Sequence, residues 1–135
     1  MSLIGAQVRS FSQSLGVLLG VQRRFGFAHA VMLLDADSRV VDGVAITDPA
    51  PTPDDAVESA IVIGSTYDVV RRALLLSAGV DGVVDLTEAD LDRWRRYVDD
   101  FAAVEVDLVD WLASDGQHVR SFAITTDAAS AWAAT

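Results

Sequence analysis

The sequence contains no cysteine. Disulfides, thiolate zinc sites and cysteine nucleophiles are thereby excluded together. Histidine is almost as scarce, with only His29 and His118, far apart in the chain. A metal site would have to be built almost wholly from carboxylates. Lysine is also absent, so ten arginines face twenty acidic residues and the formal charge is −10. Phosphate backbones and anionic bilayers are bound through Lys and Arg, so neither nucleic acid nor membrane is expected as a partner. Asp far outnumbers Glu. Coding bias in a GC-rich genome and adaptation to high salt both produce such a composition, and neither bears on function. No apolar run reaches the roughly 18 to 20 residues of a membrane span. The N-terminus lacks the basic region and small-residue cleavage site of a secretory signal, so a cytoplasmic protein is expected. Proline occurs three times, clustered at Pro49, Pro51 and Pro53, which marks a loop.

What is present suits one folded domain. The chain has 135 residues, of which 51% are hydrophobic, enough to bury a core. Residues 3–24 carry Ile4, Val8, Phe11, Leu15 and Leu18 at helical spacing, with Arg23 and Arg24 in the last turn and Gly26 as a stop. Residues 27–35 and 39–47 read as a β-hairpin around Asp35–Ser38. Thr52 and Pro53 then open a helix running to about Val70, with Asp55 closing a capping box. A short buried strand follows over residues 73–79. A second helix starts at Thr87, where Thr87 and Asp90 form a capping box and Leu86 and Leu91 a hydrophobic staple. Its buried stripe is Leu91, Trp94, Val98 and Phe101, with Arg93, Arg95 and Arg96 turned away. Residues 104–112 and 118–124 form a closing hairpin, and an Ala-rich tail ends the chain. The order predicts an α/β fold: a mixed β-sheet with helices on its faces. The expected division is an N-terminal helix over residues 1–26, the main domain over 27–125 and a tail over 126–135.

Candidate chemistry concentrates between the third strand and the helix at Thr87. Strand ends that open into a loop before a helix are common ligand sites in α/β folds. Asp81, Asp85 and Asp90 surround that loop and offer oxygen donors for a hard cation, although their spacing matches no EF-hand. Solvated loop positions for Asp81 and Asp85, and a capping role for Asp90, explain the same residues without a ligand. Ser77 with either histidine would make a nucleophile and base, but no GxSxG elbow is present. Gly79 and Gly82 fit neither phosphate-binding fingerprint. Trp94, Trp111 and Trp132 are possible platforms for a small ligand or peptide.

Three stretches together resemble the RadC-like branch of the JAB (JAMM/MPN) domains: VMLLDADSRVV, RALLLSAGVDGVVDLTEADL and VDWLASDGQHVRSFA. The likeness spans roughly residues 27 to 123. It implies a cytidine-deaminase-like three-layer architecture. In that family a His-x-His step and a downstream Asp hold zinc, a nearby Ser polarises the intermediate, and a first-strand Glu is the general base. In this chain Ser77 and Gly79 stand where the two histidines belong, or Ala78 and Val80 in a register shifted by one. Phe27 falls at or near the Glu, Thr87 stands for the Ser, Asp90 for the Asp, and Trp111 for the His of the closing hairpin.

A catalytic zinc needs about three protein ligands and an open position for water. One carboxylate does not provide them, and without zinc nothing lowers the pKa of a bound water. The resemblance therefore implies a non-catalytic domain with no cofactor, acting as an interaction or scaffolding module. Its remnant pocket would comprise Ser77, Gly79, Asp81, Asp85, Thr87, Asp90 and Trp111. A protein partner or self-association is expected. The near-heptad stripe of the N-terminal helix is either a homodimer seam or the cover of its own sheet. The alternatives are a small-ligand or peptide-binding module, and a non-zinc enzyme using the vacated pocket.

Overall fold

Three strand segments are apolar along nearly their whole length, and their neighbours explain why. The computed structural model describes residues 4–47, 52–79 and 87–126. Strands β1 (Ala28–Leu34), β2 (Val40–Ile46), β3 (Arg72–Ala78), β4 (Asp107–Ser114) and β5 (Val119–Ser121) form one sheet in the order β2-β1-β3-β4-β5. Strand β1 runs antiparallel to both β2 and β3, β3 is parallel to β4, and β4 is antiparallel to β5. The inner strands β1, β3 and β4 are covered on both faces, so neither face of them alternates with polar residues.

Helix α1 (Phe11–Phe25) lies on one face. Its Leu18 and Val21 pack with Ala30, Met32, Leu74, Leu76 and Leu112. On the other face lie α2 (Asp54–Gly64), α3 (Glu88–Ala102) and the short α4 (Phe122–Thr125). There Val57, Trp94, Tyr97, Phe101 and Phe122 pack with Val31, Leu33, Leu75 and Trp111. The fold is thus α/β, a five-stranded mixed sheet between two helical layers. Among the described residues, no helix is long and apolar enough to cross a membrane.

Several elements begin or end away from their expected positions. The first helix starts at Phe11, not at residue 3. Ser10 caps it, its hydroxyl accepting the Gln13 N–H at 3.2 Å. The preceding residues are extended instead, because they satisfy the edge of β2. Gly5 N–H donates to Val40 O at 2.8 Å, Val40 N–H to Ala6 O at 2.9 Å, and Gln7 bridges Arg39. Ile4 and Val8 therefore lie outside the helix, and no near-heptad stripe exists. The buried helix residues Ser14, Leu18 and Val21 face the chain's own sheet.

Helix α2 has Pro53 rather than Thr52 at its N-cap position and no capping box, Thr52 Oγ1 accepting the Asp54 N–H at 3.4 Å, and it stops at Gly64, well short of Val70. Ser65 and Thr66 turn their hydroxyls back onto Val62 O and Ile63 O and close it off. The last strand shortens to Val119–Ser121, because Ser121 Oγ accepts the Ile124 N–H at 3.1 Å and starts α4. The buried carboxylate of Asp110 completes that start. It accepts from Ser121 Oγ at 2.5 Å, from Ala123 N–H at 2.9 Å and from Trp111 N–H at 2.7 Å.

In α3 the buried face is Trp94, Tyr97 and Phe101, with Leu91 and Val98 only half-buried. Tyr97 was not in the expected stripe. Its hydroxyl donates to Asp54 Oδ1 at the start of α2, and Arg96 reaches the same oxygen at 2.6 Å. Burial raises the Asp54 pKa, but the Tyr97 hydrogen bond and the Arg96 charge outweigh it, so the carboxyl titrates below its ordinary range. Burial and the Asp54 carboxylate both push the Tyr97 phenol up. The folded state thus holds the phenolic proton after the unfolded chain, with a phenol pKa of about 10, has released it. Stability contributed by this contact is complete below about pH 10 and declines above it. Denaturant titrations in this range should show that decline in the wild type and a shallower one in Tyr97→Phe. Equal slopes would remove the contact from the account.

Candidate functional site

Strands β1 and β3 pair in a register that sets His29 directly opposite Ser77. Opposed residues of an antiparallel pair share a face, here the face that carries α2 and α3. Trp111 of β4 lies on that face too. The outcome is a buried polar trio: His29 Nδ1 is 2.8 Å from Ser77 Oγ, and Trp111 Nε1 donates to the same oxygen at 2.9 Å. His29, Ser77 and Trp111 are 2%, 1% and 5% exposed.

The indole N–H can only donate, so Ser77 Oγ accepts it. The Ser77 hydroxyl donates to His29 Nδ1 in the Nε2–H tautomer and accepts from it in the Nδ1–H tautomer, its second lone pair being available for that. Aromatic rings enclose the trio. Phe122 stacks on Trp111 at 4.0 Å, Tyr97 lies 5.6 Å from it, and Phe27 meets His29 edge-on at 5.3 Å. In that low-dielectric setting each polar group needs its partner, and the trio supplies them mutually.

Gly79, just past β3, has φ +72°, and a Cβ there would lie 2.6 Å from the carbonyl oxygen of Gly26 and 3.3 Å from Phe27 Cα. The backbone before β1 thus occupies the space that any side chain at position 79 would take. A histidine, or any residue other than glycine, is excluded without a shift of the main chain.

Thr87 and Asp90 form the expected capping box at the start of α3. Asp90 N–H donates to Thr87 Oγ1 at 3.2 Å, and Thr87 N–H to Asp90 Oδ2 at 3.4 Å. The other Asp90 oxygen pairs with Arg93 Nη1 at 3.3 Å. No hydrogen bond or ion pair joins this box to Ser77 among the described residues. Asp81, Asp85 and Leu86 lie outside those residues, as does Trp132. Among the described residues no three His, Asp or Glu side chains gather as a metal site.

Sequence reading placed Ser77 and Trp111 in one pocket, and the structure joins them by a hydrogen bond. It treated His29 as unconnected to Ser77, and the strand register connects them. It set Trp94 in the buried stripe of its helix, where the structure has it, and offered Trp111 as a ligand platform, but Trp111 too is buried in the core. His118 is far from this chemistry, exposed at the β4–β5 turn beside Asp115. The buried Asp110 and the Asp54–Tyr97 contact were not anticipated. A signal for Asp110 did exist: a lone acid within an apolar strand, followed by Ser-Phe-Ala where the chain turns.

No family model matches this chain, and no curated protein matches it.

Proposed function

We propose that the chain is a JAB-like domain that has given up metal chemistry and serves as a protein-interaction module. The observation that carries the proposal is the state of Ser77. Its oxygen is engaged by His29 and Trp111 inside the core, and the resemblance offers Ser77, or Ala78 in the register shifted by one, for the first zinc-binding histidine. In the first register the second position is Gly79, where main chain fills the space of a side chain; in the shifted register it is Val80, outside the described residues. Phe27, at or near the place of the catalytic Glu, contributes a ring against His29. In the register of Ser77 and Gly79, the positions the resemblance gives for binding and activating water are engaged in packing. Thr87 and Asp90 keep their types because a capping box needs them.

A second reading takes Ser77 and His29 as a nucleophile and its base, favoured by their 2.8 Å separation. Against it stands the Trp111 N–H on the same oxygen, which draws on the lone pairs a nucleophile needs. Partners other than nucleic acid and membrane follow from the charge.

Protein produced in zinc-supplemented medium and stripped only by gel filtration tests the first reading through elemental analysis. Far less than one zinc per chain is expected. About one zinc per chain, with cleavage of an isopeptide substrate, would overturn it.

A further inference from the structure

The acidic residues of this chain are not spread evenly. The first 34 residues hold three arginines and no acid, while the rest, with seven arginines and all twenty acids, carries −13. Helix α1 belongs wholly to the cationic part. Arg23 and Arg24 lie in its last turn, exposed, and neither makes an ion pair among the described residues.

Among the described residues, nothing covers the sheet beside this helix. Helix α1 lies over β3 with β1 and β4 at its flanks, and it does not reach across β2. The opening is a groove of about 540 Å³ whose walls include Gly16, Gly20, Arg24 and Phe25 of α1, with Met32 and Gly43 of the sheet. Phe25 is 42% exposed and Ile4, also on the groove, 60%. Glycine inside a helix costs stability relative to alanine. Yet a Cβ at Gly16 or Gly20 would meet nothing within 4 Å. The fold itself gives no reason for the gap.

We infer that this groove seats an acidic amphipathic helix of a partner protein, whose apolar side chains enter between α1 and β2 while its carboxylates meet Arg23 and Arg24. The inference rests on the interaction-module reading and assigns it a surface. Charge selects the partner, since Arg23 and Arg24, without an ion pair among the described residues and with the Arg24 guanidinium over the Phe25 ring at 5.5 Å beside the apolar cleft, favour an acidic segment, and a partner helix would complete the thin layer on this face. A bilayer fits less well, because the groove is a concave cleft and not an exposed convex face.

Selection of a displayed library of random peptides against the full chain tests this. Selected sequences should carry apolar residues at helical spacing and an excess of Asp and Glu. A selected peptide should lose at least about tenfold in affinity to Gly20→Leu, which fills the groove, and to Arg24→Glu. Gly20→Leu should melt no lower than the wild type, which separates groove filling from misfolding. Basic selected peptides, or binding unchanged in both variants, would overturn the assignment. Peptides that bind but ignore both variants would overturn this surface and leave the interaction reading standing, whereas stoichiometric zinc would overturn that reading and not this groove. Phosphatidylserine vesicle binding lost in Arg24→Glu, or a dimer in sedimentation equilibrium lost in Gly20→Leu, would reassign the face to a membrane or to a second copy and so also overturn the inference.

Discussion

Gly79→Ala is expected to destabilise the protein by about 3 kcal/mol, which lowers the melting temperature by on the order of 10 °C. Two costs combine. The positive φ of 72° is strained for any L side chain, and the new Cβ would sit 2.6 Å from a main-chain oxygen. The clash cannot be relieved by rotating a side chain, because its other member is the carbonyl of Gly26. Relief requires β1 and the end of β3 to move apart. Those segments carry His29 and Ser77, so the trio should loosen as well, with a change in Trp111 fluorescence. Urea denaturation measures the cost. A Gly79→Ala protein within about 0.5 kcal/mol of wild type would show that the strand end yields freely. It would then reopen position 79 to a side chain, and with it the reading of the site.

Asp110→Ala should cost a similar amount, about 3 kcal/mol or more. The carboxylate is fully buried and accepts from Trp111 N–H, Ser121 Oγ and Ala123 N–H. Alanine leaves those donors facing an apolar void. The damage should be directional. Helix α4 loses its N-terminal acceptor, Phe122 loses its seat on Trp111, and β5 frays, while α1 and α2 stay in place. Hydrogen exchange would show this as lost protection at Ala123 and Ile124 ahead of the β1–β3 core. Asp110→Asn keeps one acceptor oxygen and should cost less. Uniform loss of protection across the sheet would contradict the local account.

These expectations also show how far the sequence could be read. The element order up to β5 was legible, and so was the start of α3, because a capping box is a local device spanning four residues, Thr87 to Asp90. The first helix was misplaced because the helical spacing of Ile4 and Val8 competes with a non-local bargain, the pairing of residues 5–8 with the edge of β2. No local pattern reveals that pairing. The Ser77–His29 contact was hidden for a related reason. Strands that are half-buried alternate, and the alternation sets their faces and register. β1 is buried at every position and β3 at all but Arg72. The residues in contact are 48 apart in the chain. The glycine at position 79 was visible, but the reason for it lies in the backbone of Gly26, which only the fold brings near. The proposed likeness to the JAB domains rests on the three sequence stretches alone, and the structure shares with it only the coarse α/β class.

The central claim is that Ser77 is a core residue held by two hydrogen bonds and not a nucleophile. The most direct measurement is the intact mass of the full chain after exposure to a fluorophosphonate, a reagent that labels activated serines. The account predicts an unchanged mass. A single stoichiometric adduct that maps to Ser77 and disappears in Ser77→Ala would contradict it.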